Sequence, residues 1–197
     1  SIPITSEVMP YENAAAILRS KEAFAVRPCV CRQERQVLGH DCSKPMDVCL
    51  TFDGAAGNTA ASGKGRLISL EAALGILEQA RENGLVVQPA NSKNPAGMCL
   101  CCGCCCGVLR SIKSQPRPAD LVANAFIACH DPAVCSACGA CLAKCPMEAL
   151  VEEGGRVIHK PERCIGCGLC VDACPNGALV MVRKSAPDLP VIPGSTT

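Results

Sequence analysis

Eight cysteines towards the C-terminal end of this 197-residue sequence stand in two runs with identical spacing. Each run reads C-x2-C-x2-C-x3-C-P, and each cysteine of the first run has a counterpart 29 residues later. The runs are Cys135, Cys138, Cys141 and Cys145, followed by Cys164, Cys167, Cys170 and Cys174. Thiolates at this spacing suit one face of a compact iron–sulfide group, and the duplication indicates two such groups.

The fourth cysteine of each run precedes a proline, and in such motifs it ligates the cluster of the other run. We therefore predict two [4Fe–4S] clusters with exchanged fourth ligands. Cluster I takes Cys135, Cys138, Cys141 and Cys174, and cluster II takes Cys164, Cys167, Cys170 and Cys145. Zinc is the competing metal, but zinc sites pair their ligands and do not use a triplet followed by Cys-Pro.

Ten further cysteines form two groups in the N-terminal half. Cys29, Cys31, Cys42 and Cys49 have the right number for a third cluster, with four-cysteine zinc as the direct rival. The second group is Cys99, Cys101, Cys102, Cys104, Cys105 and Cys106. Four of these six would hold a fourth cluster, which leaves two for a structural role, an unusual cluster or thiol chemistry. Arg32, beside Cys31, either offsets cluster charge or lies on the surface.

The composition supports metal rather than disulfides. The 19 cysteines are odd in number, several are adjacent in sequence, and aromatic residues make up only 2% of the chain.

Free thiolates favour a reducing compartment, most simply the cytoplasm. A net charge of +1 without a basic stretch argues against nucleic acid. No apolar run approaches the ~20 residues of a membrane span. No glycine-rich motif supports bound flavin or nicotinamide.

The secondary-structure pattern predicts an α+β chain with two domains. Residues 1–115 form a small, mainly helical, cysteine-rich domain, 116–184 the second domain, and 185–197 a polar tail. Helices are expected over 11–21, from 70 to 82 with Ser69 as N-cap, and over 108–113. The Gly-, Ala- and Ser-rich stretch 53–66 reads as a loop. Gly154-Gly155 indicates a hairpin turn. Cys129 is expected to be a buried thiol on a strand.

With its two C-x2-C-x2-C-x3-C-P runs, the segment 120–184 resembles a bacterial 2[4Fe–4S] ferredoxin domain. The resemblance implies a small pseudo-symmetric dicluster ferredoxin-like fold and low-potential one-electron transfer between two close clusters. The preceding CxCR…C…C and CCxCCC segments make the whole chain similar to polyferredoxin-like iron–sulfur proteins of anaerobes. This similarity implies iron–sulfur binding by the N-terminal half and fixes no activity. Two clusters, ten further cysteines and no visible substrate machinery lead us to expect a carrier or an electron-wiring subunit of a multi-subunit oxidoreductase, with redox proteins as partners.

Two other functions stay open at this point. The first is an iron–sulfur enzyme that reduces a disulfide or another substrate at 99–106. Cys101-Cys102-Gly103 is similar to the CCG domains of heterodisulfide reductase, although the upstream cysteine of that family is missing here. The second is a redox or metal sensor. The isolated carboxylates offer no catalytic pair, so we expect an electron-transfer protein rather than an enzyme with its own substrate.

Overall fold

The fold was taken from a computed structural model that describes residues 6–90, 92 and 94–185. The strands are β1 Ser6–Glu7, β2 Phe24–Pro28, β3 Asp47–Phe52, β4 Arg66–Ile68, β5 Val86–Pro89, β6 Gly97–Cys101, β7 Val122–Ala123, β8 Phe126–His130, β9 Leu150–Glu153, β10 Arg156–His159 and β11 Leu179–Arg183. The helices are α1 Tyr11–Arg19, α2 Val30–Val37, α3 Asp53–Ala61, α4 Leu70–Glu82, α5 Gly107–Lys113, α6 Ala140–Lys144 and α7 Leu169–Asp172. Within this described part, none of the helices has the length and apolarity that crossing a membrane requires.

The chain divides into two compact units. One is Pro10–Arg110, and among the described residues the other combines 6–9 with 111–185. β1 belongs to the second unit because it pairs in parallel with β7. The sequence places the boundary a few residues later, at 115–116, and assigns the first residues to the N-terminal domain. Beyond Ser185, the predicted tail lies outside the described residues.

The unit Pro10–Arg110 is built on a five-stranded antiparallel sheet in the order β4-β2-β3-β6-β5. The expectation of a mainly helical domain did not include this sheet, and the α+β class is confirmed. Val26, Leu50 and Met98 lie opposite one another on β2, β3 and β6 and are buried. The alternation on β3 and β6 is of buried apolar residues with cysteine or threonine. This alternation is typical of a β-strand, but it is overlooked when the cysteines are considered only as metal ligands.

The stretch 53–66 is also not a loop throughout, since α3 covers Asp53–Ala61. Four alanines in this helix have the highest helix propensity of any residue and outweigh the two glycines. Ala56 is fully buried, and the Thr59 hydroxyl lies 3.0 Å from that of Thr51 on β3. Tertiary packing thus completes a helix that local composition disguises.

The other helices agree with the sequence. α4 begins after Ser69, whose hydroxyl accepts a hydrogen bond of 3.1 Å from the Ala72 amide, and its C-cap is Asn83. The helices predicted at 11–21 and 108–113 are confirmed as α1 and α5, within two residues at each end. An N-cap hydrogen bond of this kind contributes about 1 kcal/mol.

The second unit repeats a short pattern of a cysteine-rich turn, a helix and a strand. α6 and β9 recur 29 residues later as α7 and β11. β8 pairs with β11, and β9 with β10, whose turn is Gly154-Gly155 as predicted. Ala128, Leu150, Val157 and Leu179 form the apolar core together with several cysteines.

Cys129 lies on β8 as expected, but its side chain is exposed. It is paired with Val180, which is 52% exposed, whereas the preceding Ala128 faces the core. Successive residues of a strand point to opposite sides, so only one of these two can be buried. The prediction of a buried thiol is therefore wrong.

Candidate metal centres

Four cysteines line a cavity in the second unit. Three belong to the first run, Cys135, Cys138 and Cys141, and the fourth is Cys174 at the end of the second run. Gly139, the N-cap of α6, has a φ of 75°, so that Cys138 and Cys141 lie on either side of a tight turn. The cavity thus brings together the four thiols assigned to cluster I.

A second cavity has the reciprocal composition. Its wall contains Cys164, Cys167 and Cys170 of the second run, and Cys145 from the end of the first. These are the four thiols assigned to cluster II. All 19 cysteines of the chain are free thiols in the structure, so none of the eight is engaged in a disulfide.

The backbone around the two cavities repeats residue by residue. Three pairs of left-handed residues recur at the offset of 29: Ala137 and Gly166, Gly139 and Gly168, and Glu148 and Gly177. Two of the six are not glycine, and a non-glycine residue in this region carries strain of about 1 kcal/mol or more. The first run maintains the same backbone path despite that strain, as expected where the path positions ligands.

Backbone amides donate hydrogen bonds to the sulfurs of the crossing cysteines. The Ala149 amide lies 3.2 Å from Sγ of Cys145, and the Ala178 amide lies 3.2 Å from Sγ of Cys174. N–H groups at sulfur favour the anionic form of a thiol and, in an iron–sulfur site, tune the reduction potential. The two donors occupy equivalent places in the repeat.

A histidine lines each cavity, and the two are again 29 residues apart. His130 belongs to the wall of the first cavity and His159 to that of the second. Among the described residues, Nε2 of each is buried without a hydrogen-bond partner. A buried ring nitrogen without a partner is costly, and a sulfide-rich group in the cavity would supply acceptors. The cavities therefore fit an iron–sulfur cluster in their thiols, backbone donors and histidines.

The two cavities differ in burial. Cys138 is exposed in the first, whereas Cys164, Cys167 and Cys170 are all buried in the second. Burial raises the pKa of Cys170 to about 12 and raises the pKa of Cys167 further. Such thiols become anionic when a metal takes the place of the proton.

Gly166 is a tight point in the loop of the second cavity. The buried Asn124 side chain donates hydrogen bonds to the carbonyls of Ile165 and Gly166 at 2.7 and 2.9 Å. A Cβ on Gly166 would lie 2.3 Å from the Phe126 carbonyl oxygen and 2.7 Å from Nδ2 of Asn124. We expect Gly166→Ala to destabilise the loop by about 2–4 kcal/mol and to lower iron retention, measured by anaerobic thermal unfolding with iron analysis.

Gly155→Ala is the matched control for this prediction. Gly155, in the turn between β9 and β10, also has a positive φ, 74°, but a Cβ there meets nothing within 4 Å, and Gly155 lines neither of the two cavities. It should therefore cost only the conformational strain of about 1 kcal/mol. Equal effects of the two substitutions would contradict the role given to the contacts of Asn124 and Phe126.

In the N-terminal unit, the ten cysteines form two groups that differ from the predicted ones. The six-thiol group is Cys29, Cys31, Cys49, Cys99, Cys101 and Cys106. Interactions that shift thiol pKa values link its members in a chain from Cys29 through Cys49, Cys99 and Cys101 to Cys106. Cys31 interacts with the charges of Cys106, Cys29 and Cys99. The interaction with the Cys49 thiol lowers the pKa of Cys29 to about 6.

The sheet explains this grouping. Cys49 on β3 lies directly opposite Cys99 on β6, and Cys101 follows two residues later on the same face. Cys29 is the N-cap of α2, and Cys106 immediately precedes α5. The predicted set Cys29, Cys31, Cys42 and Cys49 thus keeps three members together, while the fourth, Cys42, is found elsewhere.

The four-thiol group is Cys42, Cys102, Cys104 and Cys105, with all four sulfurs within 4.8 Å of one another. Cys42 lies between α2 and β3, and the other three lie in the turn between β6 and α5. The predicted set Cys99–Cys106 is therefore divided between the two groups. Cys99, Cys101 and Cys106 belong to the six-thiol group, whereas Cys102, Cys104 and Cys105 lie close to Cys42.

Arg32 is fully buried, with 1% exposure, so the surface alternative is wrong. Its guanidinium donates hydrogen bonds to the carbonyls of Pro45, at 2.7 Å, and Leu100, at 3.0 Å. Burial alone lowers the pKa of Arg32, but the charges of Cys102, Cys29 and Cys42 outweigh it and raise the pKa. A buried cation needs nearby negative charge, which thiolates of both groups provide.

Comparison with known proteins supports the assignment of the second unit. Residues 134–179 match the family model of the 4Fe-4S dicluster domain. This segment contains all eight cysteines that line the two cavities. No curated protein matches the chain. The protein carries [4Fe–4S] cofactors in a ferredoxin-like iron–sulfur segment. Such cofactors are suited to iron–sulfur electron transfer.

Proposed function

We propose that the protein transfers single electrons at low potential through several [4Fe–4S] clusters. It would act as a polyferredoxin-like carrier or as an electron-wiring subunit of an anaerobic redox complex in the cytoplasm. The observation that carries this proposal is the pair of cavities, each lined by three cysteines of one run and one of the other. The family match over 134–179 supports the same reading.

The lining of the cavities supports the proposed ligand sets. Cluster I is held by Cys135, Cys138, Cys141 and Cys174, and cluster II by Cys164, Cys167, Cys170 and Cys145. A bound [4Fe–4S] cluster supplies reversible storage of one electron. The chain's own residues hold the sulfurs, donate N–H groups to them, and keep water from the second cavity more fully than from the first.

The six-thiol group is proposed to hold a third cluster. It retains Cys29, Cys31 and Cys49 of the predicted set, and Cys99, Cys101 or Cys106 replaces Cys42 as the fourth ligand. Four thiolates complete a cubane, so two sulfurs remain beside it. The buried Arg32 would offset part of the negative charge of such a cluster.

Electrons are proposed to enter or leave through cluster I. Cys138 is exposed, and Val134, four residues before it, is 51% exposed. An exposed apolar residue beside a partly open cluster suits brief docking of a redox protein, because electron-transfer partners form small interfaces. Cluster II, whose three clustered cysteines are buried, is the internal relay in this scheme.

The test is an anaerobic redox titration followed by EPR, with iron and zinc measured on the same sample. We expect about 12 iron atoms per chain, four for each of three cubanes, and reversible one-electron steps that need dithionite or a stronger reductant. Iron well below eight atoms with stoichiometric zinc, or clusters that are not reduced reversibly, would overturn the proposed function.

A further inference from the structure

The four-thiol group is packed more tightly than the cluster cavities. Sγ of Cys42 lies 3.7 Å from Sγ of Cys104, and Sγ of Cys104 lies 3.8 Å from that of Cys105. With Cys102, all four sulfurs fall within 4.8 Å of one another. This compactness bears directly on what the four thiols can bind.

A single tetrahedral ion sets the distance between its ligands. With metal–sulfur bonds of about 2.3 Å, tetrahedral angles place the sulfurs about 3.8 Å apart. The two measured separations, 3.7 and 3.8 Å, agree with that edge length. We infer that Cys42, Cys102, Cys104 and Cys105 bind one four-coordinate thiophilic metal ion, zinc or a lone iron, and not a cubane.

The cluster cavities provide an internal comparison. In a cubane, each cysteine binds a different iron, so the four sulfurs stand further apart than around one ion. Among residues 6–90, 92 and 94–185, the four-thiol group is the one set of three or more ligand atoms within 4.8 Å. The eight cysteines that line the two cavities are all among these residues, but no three of their sulfurs lie within 4.8 Å of one another.

The charge around the group supports a metal–thiolate centre. Four thiolates and a divalent ion carry a net charge of about −2. Arg32 is buried nearby, and it interacts with the charges of Cys102 and Cys42. Its two carbonyl acceptors, on Pro45 and Leu100, lie next to the two segments that supply the thiols. A permanent buried cation here is consistent with thiols held permanently as anions.

Four protein ligands leave no open position, which is the mark of a structural site and not a catalytic one. The ion would fasten the segment between α2 and β3 to the turn after β6. These two segments are 62 residues apart in sequence at Cys42 and Cys104. Closing a loop of that length with a metal limits the freedom of the unfolded chain.

The test uses the whole chain, purified anaerobically, with Cys42→Ser and Cys104→Ser combined. Cys129→Ser is the control, because the Cys129 thiol is exposed like that of Cys104 but lies outside both the four-thiol and the six-thiol group. We expect the double variant to lose one metal ion per chain with cubane iron and cubane EPR intensity unchanged. Loss of zinc identifies zinc, and loss of one iron identifies a lone iron. Loss of about four irons, or of no metal, would overturn the inference.

X-ray absorption of the unsubstituted protein keeps the inference testable if the double variant does not fold. The expected result is a zinc edge fitted by four sulfurs at about 2.3 Å with no iron neighbour. For a lone iron, Mössbauer spectra should contain one high-spin site besides the cubane signals. Iron present only as cubanes, without stoichiometric sulfur-bound zinc, would contradict it.

Discussion

Replacing Cys174 with alanine is expected to abolish the cluster of the first run, although Cys174 belongs to the second. Cys174 lines the cavity of Cys135, Cys138 and Cys141, so its loss removes one of the four ligands of cluster I. A cubane with three thiolates and one vacant iron is labile. We expect about four fewer irons per chain, measured on anaerobically purified protein.

Pairs of substitutions identify which cluster is lost. Cys138→Ala combined with Cys174→Ala should lose no more iron than either alone, because both thiols line the first cavity. Cys167→Ala combined with Cys174→Ala should lose about eight irons, since Cys167 lines the second. The opposite result would show that each run binds its own cluster. In that case the pair Cys138 and Cys174 would lose about eight irons, and the pair Cys167 and Cys174 would lose no more than either substitution alone. Cys129→Ala serves as the control that alters an exposed thiol outside both cavities.

Arg32→Met should strongly destabilise the N-terminal unit. The substitution leaves the charges of Cys102, Cys29 and Cys42 without their buried cation, and deprives the carbonyls of Pro45 and Leu100 of donors. Removing one partner from a buried charged arrangement typically costs about 3–5 kcal/mol. The measurements are the anaerobic melting temperature and the metal content outside the dicluster segment, both of which should fall.

Arg35→Met is the matched control, because Arg35 lies three residues further along α2 and is partly exposed. Arg32→Lys should give an intermediate result, since lysine keeps the charge but not the fork that reaches two carbonyls at once. If Arg32→Met melted like the control and kept its metal, the buried guanidinium would have no part in holding the thiolates.

The thiols that line each cavity of the dicluster segment could be predicted from sequence because the cysteines of each run are close together along the chain. The spacing of Cys135, Cys138 and Cys141 determines which thiols surround one cavity, and the repeat supplies the second. The cavities gather the same sets of thiols that this spacing indicates. The exchange of Cys145 and Cys174 was predictable only because the Cys-Pro pattern is tied to a known ligation rule.

The N-terminal groups could not be predicted in this way. Cys99 and Cys101 join Cys49 because β6 pairs with β3, and the turn after β6 directs Cys104 elsewhere. The spacing of the cysteines predicts neither the pairing of β3 with β6 nor the turn after β6. Cys42 and Cys104 are 62 residues apart, and only tertiary structure brings them to contact. The same dependence on strand pairing explains why Cys129 is exposed.

The composition of the two cavities also imposes an order on synthesis. All four thiols of the second cavity lie between Cys145 and Cys170, whereas those of the first extend from Cys135 to Cys174. One ligand set is therefore nested within the other along the chain. A ribosome that has passed Cys170 has supplied every thiol of the buried site, while the more exposed site still awaits its last ligand. The thiols of the second cavity are thus all present before those of the first, whose set is completed only when Cys174 emerges.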